Sequence, residues 1–286
     1  MIYICADDYG LCESVSEHIR ECVDAGALNK ISVFPNFDLD ITKLKNDKLH
    51  LSLHLNLVEG RCVSDPAKLS LLVDAEGNFR FSFVGLYLQS ILNSRDFYTQ
   101  VYEEIKSQIL LWQSKVGEGS PLMIDSHQHT HMIPSVFKAL VRVIEELGVE
   151  IKYLRIPAEP IFPFVMTPTL YFTYSPVNLI KQWLLKLFWL IDKKQYKKHP
   201  FPTAYFFGIL FSGRMDEVRV GKVLTRFIRM ARRRKRDIEI LFHPGYVDGK
   251  LPGGKNIIFD KFYLSSGRRI EFDAVTKINN QKEGAL

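Results

Sequence analysis

Short runs of apolar residues alternate along the chain with stretches of helical periodicity. The runs are rich in β-branched and aromatic side chains, which is typical of buried strands. They cover residues 2–5, 31–34, 50–57, 122–125, 151–156 and 238–242. Between most of these runs, apolar positions recur every three to four residues, which predicts helices at residues 13–25, 101–116 and 135–147.

This alternation predicts an α/β fold with a mostly parallel sheet covered by helices. For a chain of 286 residues we expect an irregular or incomplete (β/α) TIM-like barrel, because α/β barrels commonly reach this length. No Gly/Ser-rich or Pro-rich linker and no internal repeat divides the sequence. We therefore expect residues 1–286 to form a single domain.

Residues 157–212 interrupt the barrel rhythm, because prolines recur there at positions 160, 163, 168 and 176. We interpret this region as an apolar and basic insertion that forms a lid or wall over a site. Ser175 and Pro176 suit the beginning of a helix that runs to about Lys194.

The two faces of that predicted helix differ in polarity. One face carries Ile180, Leu184, Leu187, Phe188 and Ile191. The opposite face carries Asn178, Gln182, Lys186 and Lys193. Such an apolar stripe favours a helix packed on the protein's own core, and a membrane-surface or partner-binding helix is the alternative.

The composition is that of an ordinary globular protein, with 47% hydrophobic and 24% charged residues. The formal net charge is +6, and the cationic residues are dispersed except for one dense run at residues 232–236. We interpret this run as the solvated end of a helix, because cations favour helix C-termini. No RNA-recognition or zinc-finger motif accompanies it, so we do not expect nucleic-acid binding.

The cysteine spacing, the first residues and the most apolar stretch all indicate in which cellular compartment the protein is expected. The four cysteines are Cys5, Cys12, Cys22 and Cys62. They lack C-x-x-C spacing, which argues against a disulfide framework and a cysteine zinc site. Met1 leads directly into the first predicted strand, without the pattern of a secretory signal. The most apolar stretch, residues 179–191, is too short and too charged to span a bilayer. We expect a cytoplasmic protein.

The strongest local feature is the sequence DSHQHTH at residues 125–131, which ends a predicted strand. If the strand continues, alternation places Asp125, His127, His129 and His131 toward one side. Imidazoles arranged in this way share a metal ion or line a cleft. A chance cluster of surface histidines is the alternative.

Acidic or imidazole side chains also follow three other predicted strands. Asp7 and Asp8 come directly after the first strand, where barrel active sites are built, although a helix-capping turn is the alternative. His54 lies on the polar face of its strand, and His243 follows the last strand. An exposed sheet edge and an ordinary turn are their alternatives. Because a barrel brings strand ends to one face, these residues suit a divalent metal such as zinc.

The motifs ADDYG, LHLNL, DSHQHTH and HPG, in this order, resemble those of the YdjC-like carbohydrate deacetylases, which are chitooligosaccharide deacetylase-like enzymes. The resemblance implies a barrel-like fold and one divalent metal ion, zinc or magnesium. It assigns the ligand positions to Asp8, His54 and His127. It also implies that Asp7 is the general base and His243 the general acid.

Further residues are expected near the site. The resemblance places Arg155 near substrate or Asp7, with a surface salt bridge as the alternative. We expect His129, His131 and Asp125 to support the site or bind substrate. Whether His129 or His131 replaces an assigned ligand stays open at this point.

The expected function is metal-dependent removal of an acetyl group from an N-acetylated carbohydrate, with release of acetate. The expected partner is a small carbohydrate, such as a chitooligosaccharide or a related amino sugar, and the resemblance also implies a homodimer. Other metal-dependent amidases, esterases or phosphoesterases remain alternatives. A sugar-binding protein without turnover is an alternative from a different class.

Overall fold

Seven parallel strands form one sheet in a computed structural model that describes residues 1–37, 41–44, 48–247 and 263–285. The strands are β1 (Ile2–Tyr9), β2 (Lys30–Val33), β3 (His50–Leu55), β4 (Leu122–Ser126), β5 (Ile151–Leu154), β6 (Tyr205–Phe207) and β7 (Ile238–Phe242). Their order across the sheet is β5-β4-β3-β2-β1-β7-β6, and all six pairings are parallel.

Helices connect and cover these strands. They are α1 (Glu13–Asp24), α2 (Phe83–Leu92), α3 (Ser94–Val116), α4 (Pro134–Leu147), α5 (Phe162–Val165), α6 (Pro176–Lys198), α7 (Glu217–Arg234) and α8 (Ser266–Ala285). Local sequence explains several ends. Helix α4 has proline at its first position, where no backbone N–H is needed, and it ends at Gly148 in the left-handed conformation that glycine adopts without strain.

The predicted α/β class is confirmed, in the form of an incomplete barrel. Strands β5 and β6 are the two edges of the sheet, and in the described parts of the chain they do not pair with each other. All six predicted strands are present. β1 extends four residues beyond its predicted end, and the ends of the others differ by at most two residues. The three-residue strand β6 was not predicted, because its apolar run is too short to stand out from the surrounding insertion.

The two faces of the sheet differ in chemistry, and this difference positions the site. One face is apolar, carries residues such as Ile4, Ile31 and Ile240, and belongs to the main hydrophobic core. The other face bears buried polar groups in the middle of strands. They include Lys30, Ser32, Ser52, Asp125 and Glu239, all fully buried and joined by hydrogen bonds. The concave side of the incomplete barrel is therefore polar.

The insertion contains the predicted helix as α6, but the predicted orientation of its faces is only partly right. Phe188 is buried and Leu184 packs against the core, as predicted. Gln182 is buried, whereas Ile180, Leu187 and Ile191 are exposed. Backbone carbonyls of the irregular insertion account for the inward position of the polar residues. Gln182 Nε2 donates to the carbonyl of Glu159 at 2.7 Å, and Asn178 Nδ2 donates to the carbonyl of Ser212 at 3.0 Å. These bonds draw the polar face of the helix inward.

The dense cationic run was predicted to end a helix, and this is confirmed: Arg232, Arg233 and Arg234 are exposed in the last turn of α7. As for membrane spans, the helices within the described ranges are all too short or too polar to cross a bilayer.

Candidate functional site

Asp7 and Asp8 lie at the carboxyl end of β1, where the backbone leaves regular strand geometry. The register between β1 and β2 shifts between Ala6 and Tyr9, and Asp8 has a φ of 74°. Successive strand residues normally point to opposite faces. The left-handed backbone at Asp8 breaks this alternation, so that both buried carboxylates lie close to the same histidine, His54.

Asp8, His54 and His127 form a compact group. Asp8 Oδ1 lies 3.0 Å from His127 Nδ1 and 3.5 Å from His54 Nε2. The three ligand-type atoms all lie within 4.8 Å of one another, and all three residues are buried. Asp7, His54 and Asp125 form a second such group. An oxygen and two imidazole nitrogens at this spacing are donors that a divalent metal ion accepts.

Asp125 orients the imidazole of His54. Asp125 Oδ1 lies 2.6 Å from His54 Nδ1 and holds a proton on that nitrogen, which leaves Nε2, 3.5 Å from Asp8 Oδ1, as the atom that can bind a metal ion. His54 Nε2 makes no hydrogen bond within the described residues. Metal-binding histidines commonly have this carboxylate partner on their second nitrogen. The donor set therefore fits a metal ion.

The electrostatics of the cluster favour a cation. Burial alone would raise the pKa of Asp8, but the Arg268 guanidinium and the hydrogen-bonded imidazole of His127 hold it well below its usual range. Burial lowers the pKa of His127, which keeps this imidazole neutral. Burial also opposes protonation of His54, yet Asp7, Asp125 and Asp8 outweigh it and raise the pKa of His54 to about 9. A positive charge is thus stabilised between these carboxylates.

Arg155 holds the carboxylate of Asp7 with two parallel hydrogen bonds. Arg155 Nη1 donates to Asp7 Oδ2 at 2.7 Å, and Nη2 donates to Asp7 Oδ1 at 2.9 Å. Both side chains are buried, so this ion pair is not the surface salt bridge that the sequence left open. A bidentate pair fixes the plane of a carboxylate as well as its position.

A network of buried charged residues contacts both Arg155, which holds Asp7, and Asp125, which orients His54. Glu239 Oε1 accepts hydrogen bonds from Arg155 Nη2 at 2.6 Å and from Lys30 Nζ at 2.8 Å. Lys30 Nζ also donates to Asp125 Oδ2 at 3.0 Å. Burial alone would raise the pKa of Glu239, but Arg155 and Lys30 lower it to about 2. The carboxylates that orient the site are therefore held ionised.

The expected alternation through residues 125–131 is wrong, because β4 ends at Ser126. A short 3₁₀ segment, His127–Met132, follows, and Gln128 and His129 have positive φ angles of 52° and 61°. The side chains of His127, His129 and His131 therefore do not lie along one side of a strand. In the described chain, only His127 of the three belongs to the candidate metal cluster.

His131 and His129 occupy different surroundings. His131 Nδ1 lies 2.5 Å from Ser126 Oγ, and its Nε2 lies 2.8 Å from the carbonyl of Arg155. These bonds tie the 3₁₀ segment to β5, and burial lowers the pKa of His131 to about 4. His129 packs edge-on against Phe206. Burial and the nearby charge of Lys181 from α6 hold the pKa of His129 well below its usual range.

His243 follows β7 and is held by a residue from α8. The backbone N–H of His243 donates to Glu271 Oε2 at 2.6 Å, and His243 Nδ1 lies 3.4 Å from the same oxygen. The side chain of His243 is 15% exposed, while that of Glu271 is fully buried. This imidazole is therefore the more solvent-accessible of the candidate catalytic groups.

Several residues of the site were not predicted from the sequence. Arg268 Nη2 donates to Asp8 Oδ2 at 2.7 Å, and Glu271 holds His243. Neither residue belongs to a recognisable motif. Lys30 and Glu239 did give a signal, because each is a charged residue beside or within an apolar strand, where it needs a partner.

Known proteins match the chain in sequence and in fold. A carbohydrate deacetylase of Danio rerio is 29% identical over 165 residues, which cover 56% of this chain and 50% of that protein. A carbohydrate deacetylase of Clostridium beijerinckii is 27% identical over 169 residues, which cover 57% of this chain and 64% of that protein. The matched part thus spans about half to two thirds of these relatives.

A solved structure supports the fold. It is that of an Enterococcus faecalis protein, described only provisionally as a cellobiose-phosphate cleavage protein. It superposes with a TM-score of 0.66 and 16% sequence identity, covering 99% of this chain and 94% of that one. Identity this low shows the shared fold alone.

The family follows from a match over nearly the whole chain. The profile of the YdjC-like protein family matches residues 1–281. This range includes Asp7, the cluster of Asp8, His54 and His127, and all seven strands. The chain belongs to the YdjC-like protein family.

Proposed function

We propose that this protein is a metal-dependent hydrolase that removes the acetyl group from an N-acetylated carbohydrate. The observation that carries the proposal is the group formed by Asp8, His54 and His127 next to Asp7, whose carboxylate Arg155 holds in place. The pairing of a metal site with a positioned carboxylate base suits hydrolysis of an amide. The names of the relatives support an acetylated carbohydrate as the substrate class.

Asp8, His54 and His127 would hold one divalent ion, zinc or magnesium. Two imidazoles and one carboxylate suit zinc well and leave open positions. When bound, such an ion polarises the acyl oxygen and lowers the pKa of a coordinated water. Asp125 orients His54, and Arg268 balances the charge of Asp8.

Asp7 would act as the general base. It accepts a proton from the attacking water while the water oxygen forms a bond to the acetyl carbon. Arg155 and the network beneath it keep the Asp7 carboxylate in one orientation, so that little reorganisation is needed during proton transfer. General bases of this kind contribute on the order of 10²–10⁴-fold to the rate.

His243 would act as the general acid. Its imidazolium donates a proton to the amine nitrogen as the carbon–nitrogen bond breaks, and the products are acetate and a free amino sugar. Glu271 Oε2 lies 3.4 Å from His243 Nδ1 and accepts a hydrogen bond from the His243 backbone N–H, which holds this residue in place. We assign His129 to the wall of the substrate cleft and His131 to support of the 3₁₀ segment.

The test is release of acetate from diacetylchitobiose and a panel of other N-acetylated sugars, with a phosphomonoester panel run in parallel. Wild type loaded with zinc or magnesium should release acetate. Asp7→Asn should be slower by on the order of 10²–10⁴-fold. Asp24→Asn, a change to an exposed carboxylate, should behave as wild type.

Two outcomes would count against the proposal. Phosphate release without acetate release would show a phosphoesterase. Release of neither product by folded protein that contains bound metal would favour a sugar-binding protein without turnover.

A further inference from the structure

Helix α6 turns a stripe of large apolar side chains toward solvent. The exposed fractions are 69% for Ile180, 68% for Trp183, 54% for Leu187, 66% for Leu190 and 51% for Ile191. The spacing of three and four residues places all five on one side of the helix. We call these five residues the α6 face.

Neighbouring parts of the molecule expose further apolar side chains. The segment that leads into α6 exposes Phe162, Val165, Met166 and Phe172. Helix α2 packs on α6 through the rings of Tyr87 and Phe188, and it exposes Leu88, Ile91 and Leu92. Isolated exposed apolar residues are normal, but groups of this size mark interaction surfaces.

The exposed charged side chains of the insertion are all lysines. Residues 157–212 contain six lysines and only two carboxylates, Glu159 and Asp192. Both carboxylates are buried. Four of the lysines, at positions 193, 194, 197 and 198, are exposed in the last turns of α6. Lys194, Lys197 and Lys198 continue the side of the helix on which the α6 face lies.

We propose that the α6 face and these lysines dock the protein on the surface of an anionic lipid bilayer. The apolar side chains would enter the boundary between headgroups and acyl chains, and the lysines would contact the anionic headgroups. Trp183 suits this boundary, because its ring is apolar and its indole N–H is polar. This inference does not depend on the proposed deacetylation.

Charge favours a membrane over a second copy of the chain as the occupant. A two-fold symmetric contact pairs the same patch on both copies. It would cover the lysine-rich end of each α6 helix with the other copy, and the insertion offers no surface carboxylate to balance these charges. An anionic membrane supplies that balance, and the flexible lysine side chains can reach its headgroups.

Docking would bring the candidate site close to the lipid surface. Helix α6 also packs against the 3₁₀ segment His127–Met132, which carries His127 of the candidate metal cluster. One helix therefore contributes both to the docking surface and to the wall of the site.

The experiment is co-sedimentation of the full chain with two kinds of vesicle: phosphatidylcholine alone, and an equal mixture of phosphatidylcholine and phosphatidylserine. Wild type should sediment with the mixed vesicles and much less with phosphatidylcholine alone. Lys194→Glu/Lys197→Glu/Lys198→Glu should weaken binding by at least about a hundredfold, since each lysine near an anionic surface contributes about fivefold and each glutamate adds repulsion. Trp183→Ser/Leu187→Ser should weaken it by about tenfold or more.

Matched controls change similar residues elsewhere on the surface. Arg229→Glu/Arg233→Glu/Arg234→Glu reverses the same number of charges in the cationic end of α7. Leu110→Ser/Val218→Ser removes two exposed apolar side chains from α3 and α7. Both controls should bind within about twofold of wild type, because each lies outside the proposed surface. Circular dichroism establishes that every variant is folded.

Three results would overturn the proposal. The first is folded wild type that sediments with neither vesicle. The second is an equal loss of binding in the α7 arginine control, which would show unspecific attraction of cations. The third is a dimer in light scattering that Trp183→Ser/Leu187→Ser dissociates, without vesicle binding, which would make a second copy the occupant.

Discussion

Arg155 is the residue on which the geometry of the candidate base depends. Two of its nitrogens hold Asp7, and Glu239 accepts hydrogen bonds from Nη2 and Nε. Because all three side chains are buried, each charge needs its partners, and removal of one partner leaves an uncompensated charge. The arrangement fixes the direction in which Asp7 can accept a proton.

Arg155→Lys tests the value of this geometry, since lysine keeps the charge but lacks the planar pair of donors. We expect kcat for acetate release to fall by on the order of 10²-fold, because a misplaced catalytic group costs about that much. KM should change far less. Steady-state kinetics on metal-loaded protein provide the measurement, with the exposed Arg142→Lys as control. An Arg155→Lys protein with wild-type kcat would show that two-point contact with Asp7 is unnecessary.

The sequence indicated many residues of the candidate site, but not the hydrogen bonds and ion pairs that join them. Asp7, Asp8 and His127 were found from their positions at the ends of apolar strands, and His54 from the polar face of its strand. The hydrogen bond between Asp8 and Arg268 joins residues 260 positions apart, and no local pattern reports such a contact. Residue identity suggests which side chains can bind a metal, whereas their partners depend on the folded chain.

At the scale of elements, the left-handed residues decide where side chains point. Period-two alternation describes a strand only while the backbone stays extended. Asp8, Gln128 and His129 leave that conformation, so the predicted alignment of three histidines failed and the adjacent aspartates approached one histidine instead. Left-handed conformations are costly for residues other than glycine and are concentrated at functional sites.

Helix α6 contains a buried carboxylate that gives it a pH dependence. Burial raises the pKa of Asp192 to about 8. In the unfolded chain this group ionises near its ordinary value, so the stability present at low pH is lost as the pH rises toward and through about 8. The loss should amount to a few kcal/mol, because ionisation puts a charge in an apolar place.

Asp192→Asn should remove this contribution, since asparagine stays neutral. Between about pH 6 and about pH 9 the Tm of wild type should fall more than the Tm of the variant. Thermal unfolding followed by circular dichroism at both pH values measures the difference, and Asp24→Asn serves as the exposed control. Equal pH slopes for wild type and Asp192→Asn would contradict the prediction.

At the scale of the whole molecule, the incomplete barrel gathers residues from distant segments. The candidate site draws on β1, β3 and β4, on the residues directly after β5 and β7, on the 3₁₀ segment after β4, and on α8. Parallel strands place their carboxyl ends at one edge, which is where active sites of barrels are built. The single-domain organisation, the homodimer and the cytoplasmic location remain predictions.

Metal binding should stabilise the folded protein, because the three proposed ligands come together only in the native state. At a metal concentration about 100 times Kd, the gain in free energy of unfolding should be about 2.7 kcal/mol. A rise in Tm on addition of zinc or magnesium to metal-free protein measures it. His54→Ala should abolish the shift, and His199→Ala, outside the cluster, should retain it. An unchanged shift in His54→Ala would show that the ion binds elsewhere.

Apolar periodicity by itself determined the α/β class, six of the seven strands and the presence of α6, because burial of apolar side chains imposes a local pattern that can be read along the chain. Local motifs, together with the family resemblance, indicated the candidate metal ligands and the candidate base and acid. Only the tertiary structure decided the register shift at Asp8, the divergence of the histidines after Ser126 and the side of α6 that faces solvent. These features depend on bonds between distant residues, such as Gln182 with Glu159 and Arg268 with Asp8, and such bonds exist only once the chain is folded.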